Sequence, residues 1–245
     1  MKILLFGATG MVGQGVLREC LLAPDVELVQ TIGRTATNVQ HPKLRDLVHA
    51  DLWNYQALEP DLAGMDACFF CLGVSSGGMT EPAYRRITYD IAMAAAATLA
   101  RLNPGMTFIY VSGAGADSSE KGRVMWARIK GETENALRRL PLKAYAFRPG
   151  VIEPTHGERS KTTAYRIVYA VAKPILPLLR SAFPNYILTT GQIGRAMLAA
   201  ARHGAPRQVL ESRDIRALAR SGSAGGLAAG LLPSARPTPL SRTDR

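Results

Sequence analysis

Three glycines follow the first apolar segment of the chain at a spacing that suits phosphate binding. Residues 3–6 are apolar, and Gly7, Gly10 and Gly13 come next, in the sequence GATGMVG. Such a run is typical of a buried parallel strand, and a helix that starts just after it directs free N–H groups towards the strand's end. Glycine there lets the backbone approach a pyrophosphate, whose charge the positive end of the helix favours. The strand–turn–helix context makes this G-x-x-G-x-x-G pattern a prediction of a dinucleotide site, with a turn that binds nothing as the alternative. The residues expected to contact the nucleotide here are Gly7, Thr9, Gly10, Met11, Val12 and Gly13.

A basic residue stands where the second predicted strand ends. Arg34 lies 21 residues beyond Gly13, and no Asp or Glu occurs between Gln30 and Gln40. An acidic residue there would bind the ribose 2′-hydroxyl of NAD, whereas Arg accommodates the 2′-phosphate of NADP. We therefore predict NADP(H), with NAD as the second choice. The alternative is a solvated surface arginine.

Two further segments fall on the same edge of the predicted sheet. Asp51 and Leu52 follow the third strand and are placed to bracket an adenine ring, although an Asp that caps a helix has the same sequence signature. Cys71, Leu72 and Gly73 end the fourth strand, where Gly73 lets the backbone pass close to a cofactor or simply forms a turn. Cys68 and Cys71 form a CxxC within an apolar run and are expected to be buried thiols. The four His residues are isolated from one another, and no metal site is predicted.

Strands and helical patterns alternate along the first 150 residues, which predicts an α/β fold with a Rossmann-type doubly wound parallel sheet. Residues 1–150 are assigned to the NAD(P)-binding domain, residues 151–215 to a small C-terminal cap continuous with it, and residues 216–245 to a disordered tail. Strands are predicted at residues 3–6, 26–34, 66–73, 107–112 and 143–149, with a shorter third strand that ends near residues 48–50, and the main helices at 12–21, 82–102 and 123–140. A short strand (207–212) and a last helix (214–219) are predicted within and beside the cap.

The charge and hydropathy of the chain exclude several classes of protein. The formal net charge is +11, but the basic residues are scattered and four of those charges come from the predicted tail, so no nucleic-acid partner is expected. The excess charge favours a phosphorylated cofactor or an anionic substrate instead. No apolar stretch is long enough for an integral membrane segment, and the N-terminal residues lack a secretory signal, so a cytoplasmic location is expected.

Five segments in order resemble the atypical and extended branches of the short-chain dehydrogenase/reductase superfamily: GATGMVG, CLGVSSG, YVSGAGAD, KGETENAL and AFRPGVI. They are most similar to Tat-interacting-protein-like and NmrA-like NAD(P)-binding proteins. The resemblance covers residues 1–215. It implies a catalytic Ser after the fifth strand, a Tyr that exchanges a proton with the substrate oxygen, and a Lys four residues later that binds the nicotinamide ribose.

The resemblance matches Ser112 to the Ser and Lys130 to the Lys, but Trp126 occupies the position of the Tyr. An indole N–H donates a hydrogen bond but does not exchange its proton near neutral pH. General acid catalysis is worth about 10²- to 10⁴-fold in rate, so the usual turnover through Tyr is in doubt.

Several other residues have both a functional interpretation, such as replacement of the Tyr, and a purely structural one. Tyr84, Tyr89 and Tyr165 are candidate proton donors or packed aromatic residues. Lys130 either anchors the ribose or forms a surface pair with Glu134, four residues on. Ser112 has a second interpretation as a residue of an ordinary Ser-Gly loop.

Two later segments also allow more than one role. Arg148, at the end of the sixth strand, either binds an anionic group or ties its loop down. Residues 164–179 are apolar but broken by Pro174 and Pro177. That pattern favours a substrate pocket, or a subunit contact within a homodimer, over binding to a membrane surface.

Two functions follow from these expectations. The first is an NADP(H)-dependent oxidoreductase or epimerase that acts on a small carbonyl or hydroxyl substrate. The second is a non-catalytic regulatory or scaffold protein that senses NADP(H).

Overall fold

Strands and helices alternate through the described part of the chain, which in a computed structural model comprises residues 1–155, 157–158 and 186–228, with side chains as far as residue 222. The strands are β1 (Lys2–Phe6), β2 (Leu28–Gly33), β3 (Leu44–Val48), β4 (Ala67–Phe70), β5 (Thr107–Val111), β6 (Lys143–Arg148), β7 (Val151–Glu153), β8 (Ile187–Thr189) and β9 (Val209–Glu211). The helices are α1 (Met11–Leu22), α2 (Glu59–Leu62), α3 (Glu81–Arg85), α4 (Ile91–Leu102), α5 (Met125–Leu137), α6 (Thr190–His203) and α7 (Ser212–Ala228).

Seven of the described strands form one parallel sheet in the order β3-β2-β1-β4-β5-β6-β9. Phe6 at the end of β1 is opposite Ile32 of β2 on one side and Phe70 of β4 on the other. The strand order reverses between β1 and β4, which places the ligand crevice of such sheets outside the carboxyl ends of these strands. The Rossmann-type doubly wound fold predicted from the sequence is confirmed.

Alternating side chains of the strands fill two cores, one on each face of the sheet. Ile3 and Leu5 of β1 pack beneath α1 and α6, whereas Leu4 and Phe6 of the same strand pack on the opposite face. Helices α1 and α6 lie very close together, since a Cβ at Gly15 of α1 would overlap the Thr190 side chain. The sheet edge that carries the site is therefore held between two packed layers.

The C-terminal part of the structure differs from the predicted cap. Strand β9, expected in the cap, is the last strand of the main sheet and pairs with β6, for example Phe147 with Leu210. Sequence alone missed this because three residues of strand pattern carry no information about their partner. The short parallel pair β7–β8 also belongs to the predicted cap region but lies outside the main sheet. Helix α6, from the same region, packs against α1 in the main core.

Two predicted segments also have different bounds. The helix expected at residues 82–102 is interrupted by a π-helical turn, Arg86–Asp90, between α3 and α4. Helix α7 continues to residue 228, into the segment assigned to a disordered tail, and its buried positions Ile215 and Ala219 contribute to the core. Residues 164–179, with Tyr165, lie outside the described residues. None of the described helices combines the length and hydropathy needed to cross a bilayer.

Candidate functional site

The loop from Gly7 to Gly13, here called the glycine turn, is shaped by the absence of side chains. Gly7 has a φ of +75°, and a Cβ there would lie 2.7 Å from the backbone of Cys71 and Leu72 at the end of β4. A Cβ at Gly13 would overlap the carbonyl of Gly7. Because each clash is with backbone, a side chain at either position requires the loop to move.

Helix α1 opens towards this turn without a side-chain cap. Gly10 is the N-cap residue, and the first turn of the helix contains no acidic side chain. The Gly10 N–H itself donates to the Gly7 carbonyl at 2.9 Å. The next amides, from Met11 onwards, are at the positive end of the helix, where a bound anion is favoured.

Arg34 follows β2 directly and its side chain is exposed at the carboxyl edge of the sheet. The loop after it is fixed by Asp46, whose carboxylate accepts from the N–H and the hydroxyl of Thr37, each at 2.9 Å. Asp46 is therefore engaged within the protein, and Arg34 is an exposed basic side chain at the start of the same loop.

A cleft of about 730 Å³ lies between this loop and α1. Its lining includes Thr9 from the glycine turn, Gln14 and Arg18 from α1, and His41 after β2. Sequence reasoning missed Arg18 and His41. The spacing of Gln14, Arg18 and Leu21 on one helical face was the available signal.

The proposed adenine contacts are engaged in local structure. Asp51 Oδ1 accepts the backbone N–H of Trp53 at 3.0 Å, which makes Asp51 a turn residue. Leu52 is buried in the core that contains Phe6 and Tyr55. The role of this pair at an adenine ring remains a prediction.

The end of β4 approaches the glycine turn through its backbone. The Cys71 N–H donates to the Phe6 carbonyl at 3.0 Å, and Leu72 follows it against Gly7. A Cβ added at Gly73 would meet open space. Cys68 is fully buried, Cys71 is partly so, both are free thiols, and burial raises both pKa values well above the ordinary range.

Ser112, Trp126 and Lys130 come together where β5 ends and α5 begins. With Glu134, they are called the α5 site below. The six-membered ring of Trp126 packs over the loop after Ser112, 3.6 Å from where a Cβ of Gly115 would be. Lys130 Nζ donates to the Val111 carbonyl at 3.4 Å and lies 5.3 Å from the centre of the Tyr110 ring.

The environment of Lys130 lowers the pKa of its ammonium group to about 8. Burial is the main cause, and the nearby Glu134 carboxylate opposes it. Tyr110 was not identified from the sequence, although it lies two positions before Ser112 and therefore shares its face of the strand. The structure thus places a partly dehydrated lysine beside an aromatic ring.

Ser112 is tied to a buried ion pair. Its hydroxyl donates to Glu134 Oε1 at 2.5 Å, and Arg148 Nη2 lies 2.5 Å from the other oxygen of Glu134. Arg148 also donates to Ser118 Oγ at 2.6 Å. Of the two roles considered for Arg148, its contacts support the one of tying down the loop, and the partner of Glu134 is Arg148 rather than Lys130.

The candidate replacements for the missing Tyr are differently placed. Tyr84 is buried against the same core region as Tyr110, whose pKa it helps to raise. Tyr89 is partly exposed and lies under the guanidinium of Arg85, 4.1 Å from its ring centre. The described residues contain no cluster of three metal-ligating side chains.

Comparison with known proteins bears on the nucleotide site. A family model described as NAD(P)H-binding matches residues 7–173. The mitochondrial protein fmp52-2 of Aspergillus oryzae is 29% identical over 233 residues, which cover 88% of this chain and 96% of the fungal protein.

Two solved structures share the fold at low sequence identity. The oxidoreductase ylbE of Lactococcus lactis superposes with a TM-score of 0.62 at 18% identity, covering 90% of this chain and 96% of that one. The Bordetella bronchiseptica enzyme WbmF, in complex with NAD+, gives a TM-score of 0.63 at 15% identity and covers 91% and 77%. The family match shows the NAD(P)H-binding family and the two structures show the fold, both as the resemblance to the short-chain dehydrogenase/reductase superfamily implied.

The expected cytoplasmic location is wrong. The fungal relatives from Aspergillus oryzae and Aspergillus clavatus are named as mitochondrial proteins, and this finding overturns the expectation. The inference failed because the lack of a secretory signal argues only against secretion and leaves every intracellular compartment open.

Proposed function

The chain belongs to the NAD(P)H-binding family, and from that premise we propose that it is an NADP(H)-dependent oxidoreductase or epimerase acting on a small carbonyl or hydroxyl substrate. The observation that carries the proposal is the place of Lys130, whose ammonium lies at the carboxyl end of β5, 3.4 Å from the Val111 carbonyl. The glycine turn is at the same edge of the sheet, between β1 and α1. A bound nicotinamide supplies or accepts the hydride. The protein must hold it and orient the substrate.

Lys130 is the residue proposed to hold the nicotinamide ribose. An ammonium group has three N–H donors, and the long contact to Val111 uses one of them. The remaining donors suit the two hydroxyls of a ribose. Burial strengthens such bonds because less water competes for the charge.

The choice of NADP(H) over NAD(H) is proposed from Arg34. A guanidinium is a favourable partner for a phosphate. The Arg34 side chain is exposed immediately after β2. Arg18 in the neighbouring cleft adds positive charge on the α1 side. Ser112 and Trp126 complete the proposed substrate-side residues of the site.

Calorimetric titration with NADPH and NADH tests the proposal. We expect micromolar binding of NADPH, weaker binding of NADH, and a loss of about ten- to a hundredfold in Lys130→Met, since a hydrogen bond to a charged group contributes about 1.5–3 kcal/mol. Lys121→Met is the control, because Lys121 is exposed in the loop before α5. Absence of binding heat with both nucleotides would refute the proposal.

A non-catalytic, NADP(H)-sensing regulatory or scaffold protein is the second candidate. Trp126 at the position of the proton donor favours it, as does the Ser112 proton, which Glu134 already accepts. Trp126→Tyr discriminates between the two. Consumption of NADPH with simple ketones rises in this variant if only the acid is missing, and Trp126→Phe is the matched control. No gain in a folded Trp126→Tyr protein supports the sensor.

A further inference from the structure

Glu134 is a charged residue inside the protein, with only 1% of its surface exposed. Its Oε1 accepts from Ser112 Oγ at 2.5 Å and from Arg148 Nε at 3.0 Å. Its Oε2 accepts from Arg148 Nη2 at 2.5 Å. A buried carboxylate is tolerated only when it is paired and hydrogen-bonded in this way.

The position of Glu134 on α5 places it beside Lys130. The two residues are four apart in the helix and therefore occupy the same face, one turn after the other. Glu134 thus stands between two cations, Lys130 on its own helix and Arg148 at the end of β6.

Other elements bring further groups to this region. Strand β5 contributes the Tyr110 ring, 5.3 Å from Lys130 Nζ, and α3 contributes Tyr84 beside Tyr110. Strand β9 contributes Glu211, half-exposed and 3.5 Å from Arg148 Nη1. Among the described residues, Glu134 is therefore the buried anion next to Lys130.

The hydrogen bond to Glu134 also determines what Ser112 can offer. A hydroxyl has one proton and two lone pairs, and the proton of Ser112 is directed to the carboxylate. The oxygen then accepts hydrogen bonds but has none to donate. It suits a hydroxyl group of the substrate better than a carbonyl oxygen.

We propose that Glu134 is a positioning residue of the α5 site, which holds the Ser112 proton and keeps the neighbouring Lys130 in its ammonium form. The consequence for substrate binding rests on the proposed function, whereas the arrangement itself is testable without nucleotide. Burial lowers the Lys130 pKa to about 8 and the Glu134 charge raises it, so loss of that charge must lower it further.

Competitive acetylation across a pH series, read by peptide mass spectrometry, measures the titration of Lys130 in the nucleotide-free protein. We expect a midpoint near pH 8 in the wild type. In Glu134→Gln the midpoint should fall by at least about half a pH unit, and Glu134→Asp, which keeps the charge, should restore most of it. Glu132→Gln is the matched control, since Glu132 is on the same helix but pairs with Arg85 at the surface.

Glu134→Gln also leaves Arg148 without its carboxylate, so a second variant covers the case in which this one does not fold. Glu134→Gln/Arg148→Met removes both charges of the pair, and Glu134 is the charged group that raises the Lys130 pKa, so the midpoint still falls. An unchanged midpoint in a folded variant, single or double, overturns the proposal and leaves Glu134 a structural residue. If the midpoint falls but no nucleotide binds, the proposed function fails and the positioning role stands.

Discussion

The glycine turn makes its close contacts with backbone atoms, whereas the α5 site is assembled from buried side chains that carry charge. At the glycine turn, Gly7 packs against the backbone of Cys71, and the amides of α1 face outward without a side-chain cap. At the α5 site, Ser112 depends on Glu134, and Glu134 on Arg148. The first arrangement depends on backbone atoms, whereas the second depends on the charges and protons of a few side chains. Replacing one side chain should therefore disturb the α5 site more directly than it disturbs the glycine turn.

The largest effect is expected when the buried ion pair between Glu134 and Arg148 is removed. Arg148→Met leaves the Glu134 carboxylate buried without its ion-pair partner and should lower the free energy of unfolding by about 3–5 kcal/mol. Urea denaturation measures the loss. Arg101→Met, which removes a surface pair with Glu59, should cost less than about 1 kcal/mol. Similar losses in both variants would show that the buried ion pair contributes no more to the free energy of unfolding than the surface pair does.

A side chain added within the glycine turn should displace its backbone and destabilise the protein. In Gly13→Ala the new methyl group overlaps the Gly7 carbonyl, and the expected cost is about 3 kcal/mol, at the upper end of overpacking effects. Gly77→Ala is the control, because its Cβ would make an ordinary contact of 3.5 Å with Ser75 Oγ. Unfolding curves and NADPH titrations of both variants test this, and a Gly13→Ala protein with wild-type stability contradicts the rigid turn.

Sequence reasoning succeeded where one segment contains the whole signal. The glycine spacing, the apolar strands and the strand–helix alternation are local patterns, and they predicted the fold correctly. The nucleotide site that they place at the glycine turn stays a prediction. It failed where a partner comes from far along the chain. Nothing near Glu134 indicates that Arg148 pairs with it, and nothing near Val209–Glu211 indicates that β6 is the neighbouring strand. Leu52 gave an ambiguous signal, because an apolar residue for an adenine ring and one for the core look alike.

The charge of Lys130 should make the stability of the α5 site depend on pH. Its pKa falls from 10.5 to about 8 on folding, so between these values the unfolded chain binds more protons and the contribution of Lys130 to stability rises with pH. Below pH 8 both states are protonated and the full burial penalty applies. Lys130→Met should therefore be more stable than the wild type by up to roughly 3 kcal/mol at pH 7, since each pKa unit corresponds to about 1.4 kcal/mol, and the difference should shrink towards pH 10.

Urea denaturation of the wild type and Lys130→Met in parallel measures this difference. Buried thiols such as Cys20 and Cys68 titrate in the alkaline range too, but Lys130 does not influence them, so their effects cancel between the two proteins. Lys121→Met should show no such pH dependence. A constant difference between pH 7 and pH 10 would mean that water reaches Lys130 as freely as it reaches Lys121.

Arg34 is an exposed side chain directly after β2, and it is proposed to select the cofactor. In Arg34→Glu, loss of the bond to the 2′-phosphate should weaken NADPH binding about tenfold or more, while NADH binding is kept or improved because a carboxylate accepts from a 2′-hydroxyl. Arg45→Glu makes the same change of net charge on β3, where Arg45 pairs with Asp61, and separates a specific contact from a general loss of attraction.

Raising the ionic strength should reduce the NADPH preference of the wild type, since exposed charges are screened within about 10 Å at 0.1 M salt. Equal affinities of the wild type for NADPH and NADH would remove Arg34 from the site. The glycine turn would then bind the diphosphate common to both nucleotides, and the protein would not distinguish NADPH from NADH.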